Sequence, residues 1–327
     1  MGNEIKRDLS IDFVKGIAAL FVVLLHSMPN NYTFSVAWAS EAVPLFLFIS
    51  AWLTYGSFQN GKTMQIYYSV GSFCKMFKRI FRPFLLMTIV QFCIFNCIKM
   101  GGGGSITAII AGGGIGPGSY YPWLYFQAWI VLPLIIIIVD RLSWKKSMLL
   151  FIAICCALNI LSSWIQVPDF IYRLAFYRYL FVLYLACMVR KYDVQLSGRV
   201  VFLGIISLFF LIFMTYTDIN LEPFFFNQWR SCHWLGYFYT VLCFMILRII
   251  YNATHESIGS KFFVLLGGFS YEVFLCQMFV FSFITLDTFS GIENMLLSQL
   301  VFIITTLILS IVPVLTYKLY IRRLWVR

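Results

Sequence analysis

The feature that most constrains this chain is the recurrence, from end to end, of apolar runs about as long as a bilayer is thick. Roughly 20 helical residues cross the hydrocarbon core. Ten segments of that order can be drawn, over residues 11–28, 42–58, 80–98, 123–140, 147–165, 172–189, 199–216, 231–251, 262–284 and 296–317. Hydrocarbon offers no water to backbone amides, so segments like these are helical. The expected fold is all-α: a polytopic transmembrane helical bundle of about ten spans, with residues 1–327 forming a single integral membrane domain. With 61% hydrophobic and 11% charged residues, the chain lies far outside the range of ordinary soluble domains. The basic turn RLSWKK at 141–146 is short enough to force the fourth and fifth spans into an antiparallel hairpin. The first run is too long for a signal peptide and lacks a small-residue cleavage site, so it is expected to remain as an anchor.

A net charge of +11 raises nucleic acid as a partner. Here, however, the basic residues form short clusters between apolar runs, which fits topology and anionic lipid headgroups instead. With the N-terminus inside, the cytoplasmic segments hold Lys6, Arg7, Lys62, Lys75, Lys78, Arg79, Arg82, Arg141, Lys145, Lys146, Arg190, Lys191, Arg199, Arg248, Lys261, Lys318, Arg322, Arg323 and Arg327. Only Lys99, Arg173 and Arg230 fall outside. Both termini are therefore expected to be cytoplasmic. The nine cysteines are an odd number, lie mostly within apolar runs and form no CxxC pair, so no disulfide framework is expected.

The first segment, RDLSIDFVKGIAALFVVLLH from Arg7 to His26, carries ionisable groups where hydrocarbon makes them costly. On a helix, Lys15 and His26 are three turns plus about 20° apart, so they share a face while standing about 16 Å apart along the axis. They cannot touch and are candidates for two jobs at two depths. Lys15 can equally snorkel to the headgroups, and His26 can equally mark the outer interface. A histidine at that level can act as a general base, with a carboxylate to orient it, and Glu41 is the candidate carboxylate.

The other polar residues in the spans are few. Arg178 lies in the sixth, Glu272 and Gln277 in the ninth, and Ser50 deep in the second, which Glu41 opens. His26, Glu41, Arg178 and Gln277 all map to the outer half, although Arg178 and Glu272 can also be read as a structural ion pair. The long cytoplasmic loop, about 59–79, ends in KRIFRP. Lys78, Arg79 and Arg82 suit the phosphates of a soluble ligand or simply hold topology, and Pro83 suits the first turn of the third span. Residues 101–118, dominated by glycine, read either as a re-entrant lid or as a flexible linker. No HExxH, GxSxG or carboxylate pair at metal spacing occurs, which disfavours metal catalysis.

These residues resemble the acyltransferase-3 family of bacterial integral membrane O-acyltransferases. Lys15 and His26 match its basic-x10-His signature, and EAVPLFLFISAW at 41–52 is similar to its second-helix pattern. KRIFRP resembles its RxxR element, and YYPWLYF at 120–126 its aromatic entry to the fourth span. The resemblance implies an O-acetyltransferase or related transferase of the bacterial cytoplasmic membrane, with no permanently bound cofactor. It would take an acetyl or other short acyl group from cytoplasmic acyl-CoA to a hydroxyl of a cell-surface or lipid-linked saccharide. His26 would be the catalytic histidine, Lys15 its basic partner, and Arg79 and Arg82 would lie near the CoA phosphates. Ala51 stands where the family usually has Gly, and Gln277 where it often has His. The alternative is a multi-span transporter using the same buried charges, which broken helices or repeat symmetry would favour. Neither reading fixes an oligomeric state. Topology is testable directly: reporter fusions at Arg327 and within 101–118 are expected to report opposite sides, and the same side for both overturns the model.

Overall fold

The computed structural model describes residues 7–28, 39–97, 105–217, 219–226, 232–292 and 294–325. Lys6, Lys99, Arg230 and Arg327, used above to orient the chain, lie outside them. The architecture is all-α, with no strand among the described residues.

Eight of the ten expected spans are single helical rods long and apolar enough to cross a membrane. The first two are α1 (Leu9–Ser27) and α2 (Ala42–Gln59). Asp8 caps α1, its side chain accepting the Ser10 amide at 3.0 Å. The expected loop before the third span is largely helical: α3 (Met64–Tyr67) and α4 (Val70–Met76) lead through a π turn at Phe77–Phe81 into α5 (Arg82–Cys97). Pro83 therefore sits inside a continuous Val70–Cys97 rod, not at its first turn. Proline lacks an amide hydrogen and crowds the carbonyl four residues back, and the widened π turn just before it absorbs that conflict.

After α6 (Ile106–Ala111), residues 113–118 form a glycine turn that packs onto the bundle instead of trailing as a linker. Gly116 has φ +90, and a Cβ there would lie 2.7 Å from the Met278 carbonyl oxygen. Helices α7 (Tyr121–Arg141) and α8 (Trp144–Ile165) form the expected hairpin.

The sixth span departs from expectation. It begins as α9 (Asp169–Leu174), breaks at extended Ala175, passes through a 3-10 turn at Phe176–Tyr179 and continues as the 12-residue α10 (Leu180–Lys191). At 1.5 Å per residue, α10 is about 18 Å long, too short to cross alone. Every residue from Leu180 to Val189 is buried, so this helix is the centre of the bundle, packed by α2, α7, α8 and α12. Gln127 repairs the break: its amide nitrogen donates to the Leu174 carbonyl at 2.8 Å, and its amide oxygen accepts the Phe176 amide at 3.2 Å. Backbone groups left open at membrane depth need such a partner.

The chain continues with α11 (Gly198–Tyr216) and α12 (Tyr237–Thr254). The ninth expected span is two helices, α13 (Ile258–Gly268) and α14 (Ser270–Phe283), bent by 77°. The last is α15 (Met295–Trp325). Helix α13 meets α1 with no side chain between them. A Cβ on Gly267 would fall 1.7 Å from the Asp12 carbonyl oxygen, and one on Gly16 2.1 Å from the Phe263 carbonyl oxygen. Gly267→Ala is therefore expected to force the helices apart and destabilise the protein by about 1–3 kcal/mol, the usual range for overpacking. Gly259→Ala on the same helix, where nothing lies within 4 Å, is the control. Thermal unfolding of the purified variants in detergent checks the contrast; equal behaviour of the two refutes the close crossing.

Candidate functional site

The α1–α13 crossing and the bend after it leave space beside them. A cavity of about 350 Å³ opens between α1, α2, the π turn, α7 and the start of α14. Its lining is polar at one end, with Arg7, Asp12, Lys15, Arg79 and Glu272. It then climbs past Ser50, Tyr121 and Tyr125 to the apolar Val22, Phe46 and Phe274. Asp12 is the hub of the polar end. Its carboxylate accepts from Arg7 Nε at 2.5 Å and lies 3.6 Å from Lys15 Nζ. That hydrogen bond holds the Arg7 guanidinium still more firmly protonated than usual. Three cations against two carboxylates leave this end net positive.

The sequence candidates divide into groups. Lys15, Ser50, Arg79 and Glu272 are brought together on the cavity wall. Lys78 and Arg82 are exposed on the same π-turn segment without lining the cavity. The RxxR pair does not act as one face because the π turn spreads residues that an α-helix would stack.

His26 does not line the cavity. It stands one turn beyond Val22, roughly 6 Å further along the same face of α1, with its ring edge-on to Phe281 at 5.9 Å between centroids. Because Glu272 shares the cavity with Lys15 while Phe281 meets His26, α14 runs beside α1 in the same direction. Gln277 lies on α14 between Phe274 and Phe281 and is fully buried. Its amide nitrogen donates to the Pro117 carbonyl at 3.1 Å, and among the described residues its amide oxygen has no hydrogen-bond partner.

Glu41 is buried in the turn before α2 and accepts the Thr240 hydroxyl, so the orienting contact with His26 expected from sequence is not formed. Arg178 is enclosed by tyrosines, with Tyr179, Tyr120 and Tyr172 ring centroids 4.7, 5.1 and 5.8 Å from its guanidinium carbon, and it donates to the Arg173 carbonyl. Glu272 opens onto the cavity instead, so these two residues occupy different surroundings and do not form the ion pair considered above.

Sequence reasoning left out the partners that complete the cavity. Asp12 carries a readable signal in its i,i+3 spacing to Lys15. Tyr121 and Tyr125, one turn apart on α7, carried a similar one. Tyr271, whose hydroxyl donates to the Ile80 carbonyl in the π turn at 2.6 Å, carried none. Gln91 was also missed; it is fully buried and donates to Ser282 Oγ at 2.9 Å.

No curated protein and no solved structure matches this chain. A model of the acyltransferase-3 family, an acyltransferase domain, matches residues 8–315 and so takes in both walls of the cavity and His26. The chain therefore belongs to the acyltransferase-3 family and is a multi-pass membrane acyltransferase, a transferase of groups other than aminoacyl groups.

Proposed function

We propose that the protein transfers an acetyl or other short acyl group from cytoplasmic acyl-CoA to a hydroxyl of a cell-surface or lipid-linked saccharide, in the cytoplasmic membrane of a bacterium. The observation that carries this reading is the alignment along α1: a cavity with Lys15 and Arg79 at its mouth climbs one helix face and ends a turn short of His26. The basic clusters orient the mouth toward the cytoplasm.

A net positive mouth suits an anionic donor. Arg79 on the wall, with Lys78 and Arg82 beside it, would meet the CoA phosphates, and Lys15, held by Asp12, would meet negative charge deeper in. The narrower apolar end, at Val22, Phe46 and Phe274, fits the acyl thioester rather than the nucleotide. The acceptor hydroxyl arrives from the side of His26. His26 takes the hydroxyl proton as the oxygen attacks the thioester carbonyl. The new C–O bond forms, the C–S bond breaks, and the departing sulfur receives the proton that His26 accepted. A positioned base of this kind typically contributes about 10²–10⁴-fold. Glu41, held by Thr240, supports the chain entering α2 on this side, not the imidazole itself.

The bend between α13 and α14 and the break at Ala175 are broken helices of the kind a transporter would favour. Membership of an acyltransferase family outweighs them.

With purified protein, acyl-CoA and saccharide acceptor, His26→Ala and His26→Gln are both expected to lose at least about 10²-fold in ester formation at unchanged expression. Glutamine keeps a hydrogen-bonding side chain but cannot take the proton. Near-normal transfer by His26→Gln overturns the role. In the same assay, Arg79→Ala is expected to raise the KM for acyl-CoA more than Arg82→Ala does, since only Arg79 lines the cavity. Equal effects would place the donor on the outer surface of the π turn instead.

A further inference from the structure

Across α2 from the cavity, two arginines meet one indole. Ser50, Thr54 and Ser57 face the cavity, whereas Trp52 points away from them on the opposite side of the helix. The guanidinium carbon of Arg190, at the end of α10, lies 4.0 Å from the Trp52 ring centroid, and that of Arg248, on α12, lies 5.3 Å from it. Trp52 is only 8% exposed, so the two cations share one buried platform.

The charged groups nearby already have partners. Arg248 Nη2 lies 3.2 Å from the Asp8 carboxylate, and its Nε donates to Ser10 Oγ at 3.0 Å. The Asp140 carboxylate accepts the Tyr55 hydroxyl at 2.5 Å. Lys191 turns its ammonium to the Val139 carbonyl at 2.6 Å. Arg190 is left over. Among the described residues it forms no ion pair. Its Nε, pressed against Gly56 where a Cβ would lie 3.1 Å away, has no hydrogen-bond partner among those residues. A half-buried guanidinium with an open donor, on the same indole as a second guanidinium, is an incomplete arrangement. What completes it is an anion with several acceptor oxygens. Phosphate fits, because its oxygens can receive one arginine fork and still reach a second cation.

We propose that Arg190 and Arg248, sharing the Trp52 indole at the basic end of the bundle, form a binding site for a phosphate group. The site is separate from the cavity and independent of the acyl-transfer reading. The phosphate can belong to a lipid headgroup or to a soluble phosphate.

Two probes distinguish these sources: inorganic phosphate titrated onto protein in phosphatidylcholine nanodiscs, and nanodiscs containing phosphatidylglycerol with no phosphate added. The readout is the thermal unfolding midpoint of wild type, Arg190→Gln, Arg190→Lys and, as a control for general charge, Arg199→Gln. Wild type and Arg199→Gln are expected to be stabilised by one of the probes. The apparent affinity is expected to fall about tenfold in Arg190→Gln, with partial retention in Arg190→Lys, which keeps the charge but loses the fork. A response to inorganic phosphate assigns a soluble phosphate, and a response to phosphatidylglycerol assigns a lipid headgroup. The proposal is overturned if neither probe stabilises wild type, or if Arg190→Gln responds as wild type does. Should Arg190→Gln fail to fold, Arg190→Lys decides: full wild-type response in that variant also overturns the arginine-fork site. Acyl transfer is not the readout, so failure here is distinct from failure of the transfer mechanism.

Discussion

The backbone contact between α1 and α13 is the constraint on which the rest of the site depends. Helices separated by side chains usually pack 8–10 Å apart. Here Gly267 faces the Asp12 carbonyl and Gly16 the Phe263 carbonyl with no room for a methyl group. That closeness sets Gly267 and Gly268 on the cavity wall beside Asp12 and Lys15. The 77° bend that follows then releases α14 to run along α1. Were the two glycines larger, the bend would begin further out and Glu272 would no longer share a cavity with Lys15.

The same crossing explains how an ionisable cluster is tolerated at this depth. Asp12, Lys15 and Arg7 are not isolated charges, because each carboxylate–cation contact offsets part of the desolvation of the other. The cluster sits where α1 begins, and Asp8 and Ser10, immediately before it, are held by Arg248 of α12. The start of α1 is thus tied to two later helices, α12 through arginine and α13 through bare backbone.

Most of the bundle was legible because transmembrane helices announce themselves by length and hydropathy, and the first-helix charges by their cost. Among the features that were not legible, three trace to particular residues. The sixth span reads as one apolar run, yet it breaks at Ala175 because Gln127, on a different helix, satisfies the opened backbone. The π turn at Phe77–Phe81 is a local response to Pro83 that a sequence reading resolves by starting the helix there. The Arg190–Trp52–Arg248 cluster joins α10, α2 and α12, and nothing in the spacing of three residues so far apart in the chain brings them together. Of the site candidates that converge, Lys15, Arg79 and Glu272 lie near a helix end, and Ser50 faces them from the middle of α2. Glu41 and Arg178, chosen for their depth alone, have partners of their own.

Depth was nevertheless the right variable for the pair of helices that matter most. Along α1 the order is Lys15, Val22, His26; along α14 it is Glu272, Phe274, Gln277, Phe281. The two series run in the same direction, with charged residues at the mouth, and meet again at the His26–Phe281 contact. Nine residues of α14 from Glu272 to Phe281 rise about 13 Å, and the eleven of α1 from Lys15 to His26 about 16 Å, so the walls climb together. In the proposed mechanism, a donor held at the mouth and a base one turn past the closed end can act on one bond only if the thioester reaches the level of Val22 and the acceptor comes down to it. Gln277 sits at that level with a buried amide oxygen that no group among the described residues satisfies. A glutamine there offers hydrogen bonding without proton transfer, which in the proposed mechanism leaves the proton to His26.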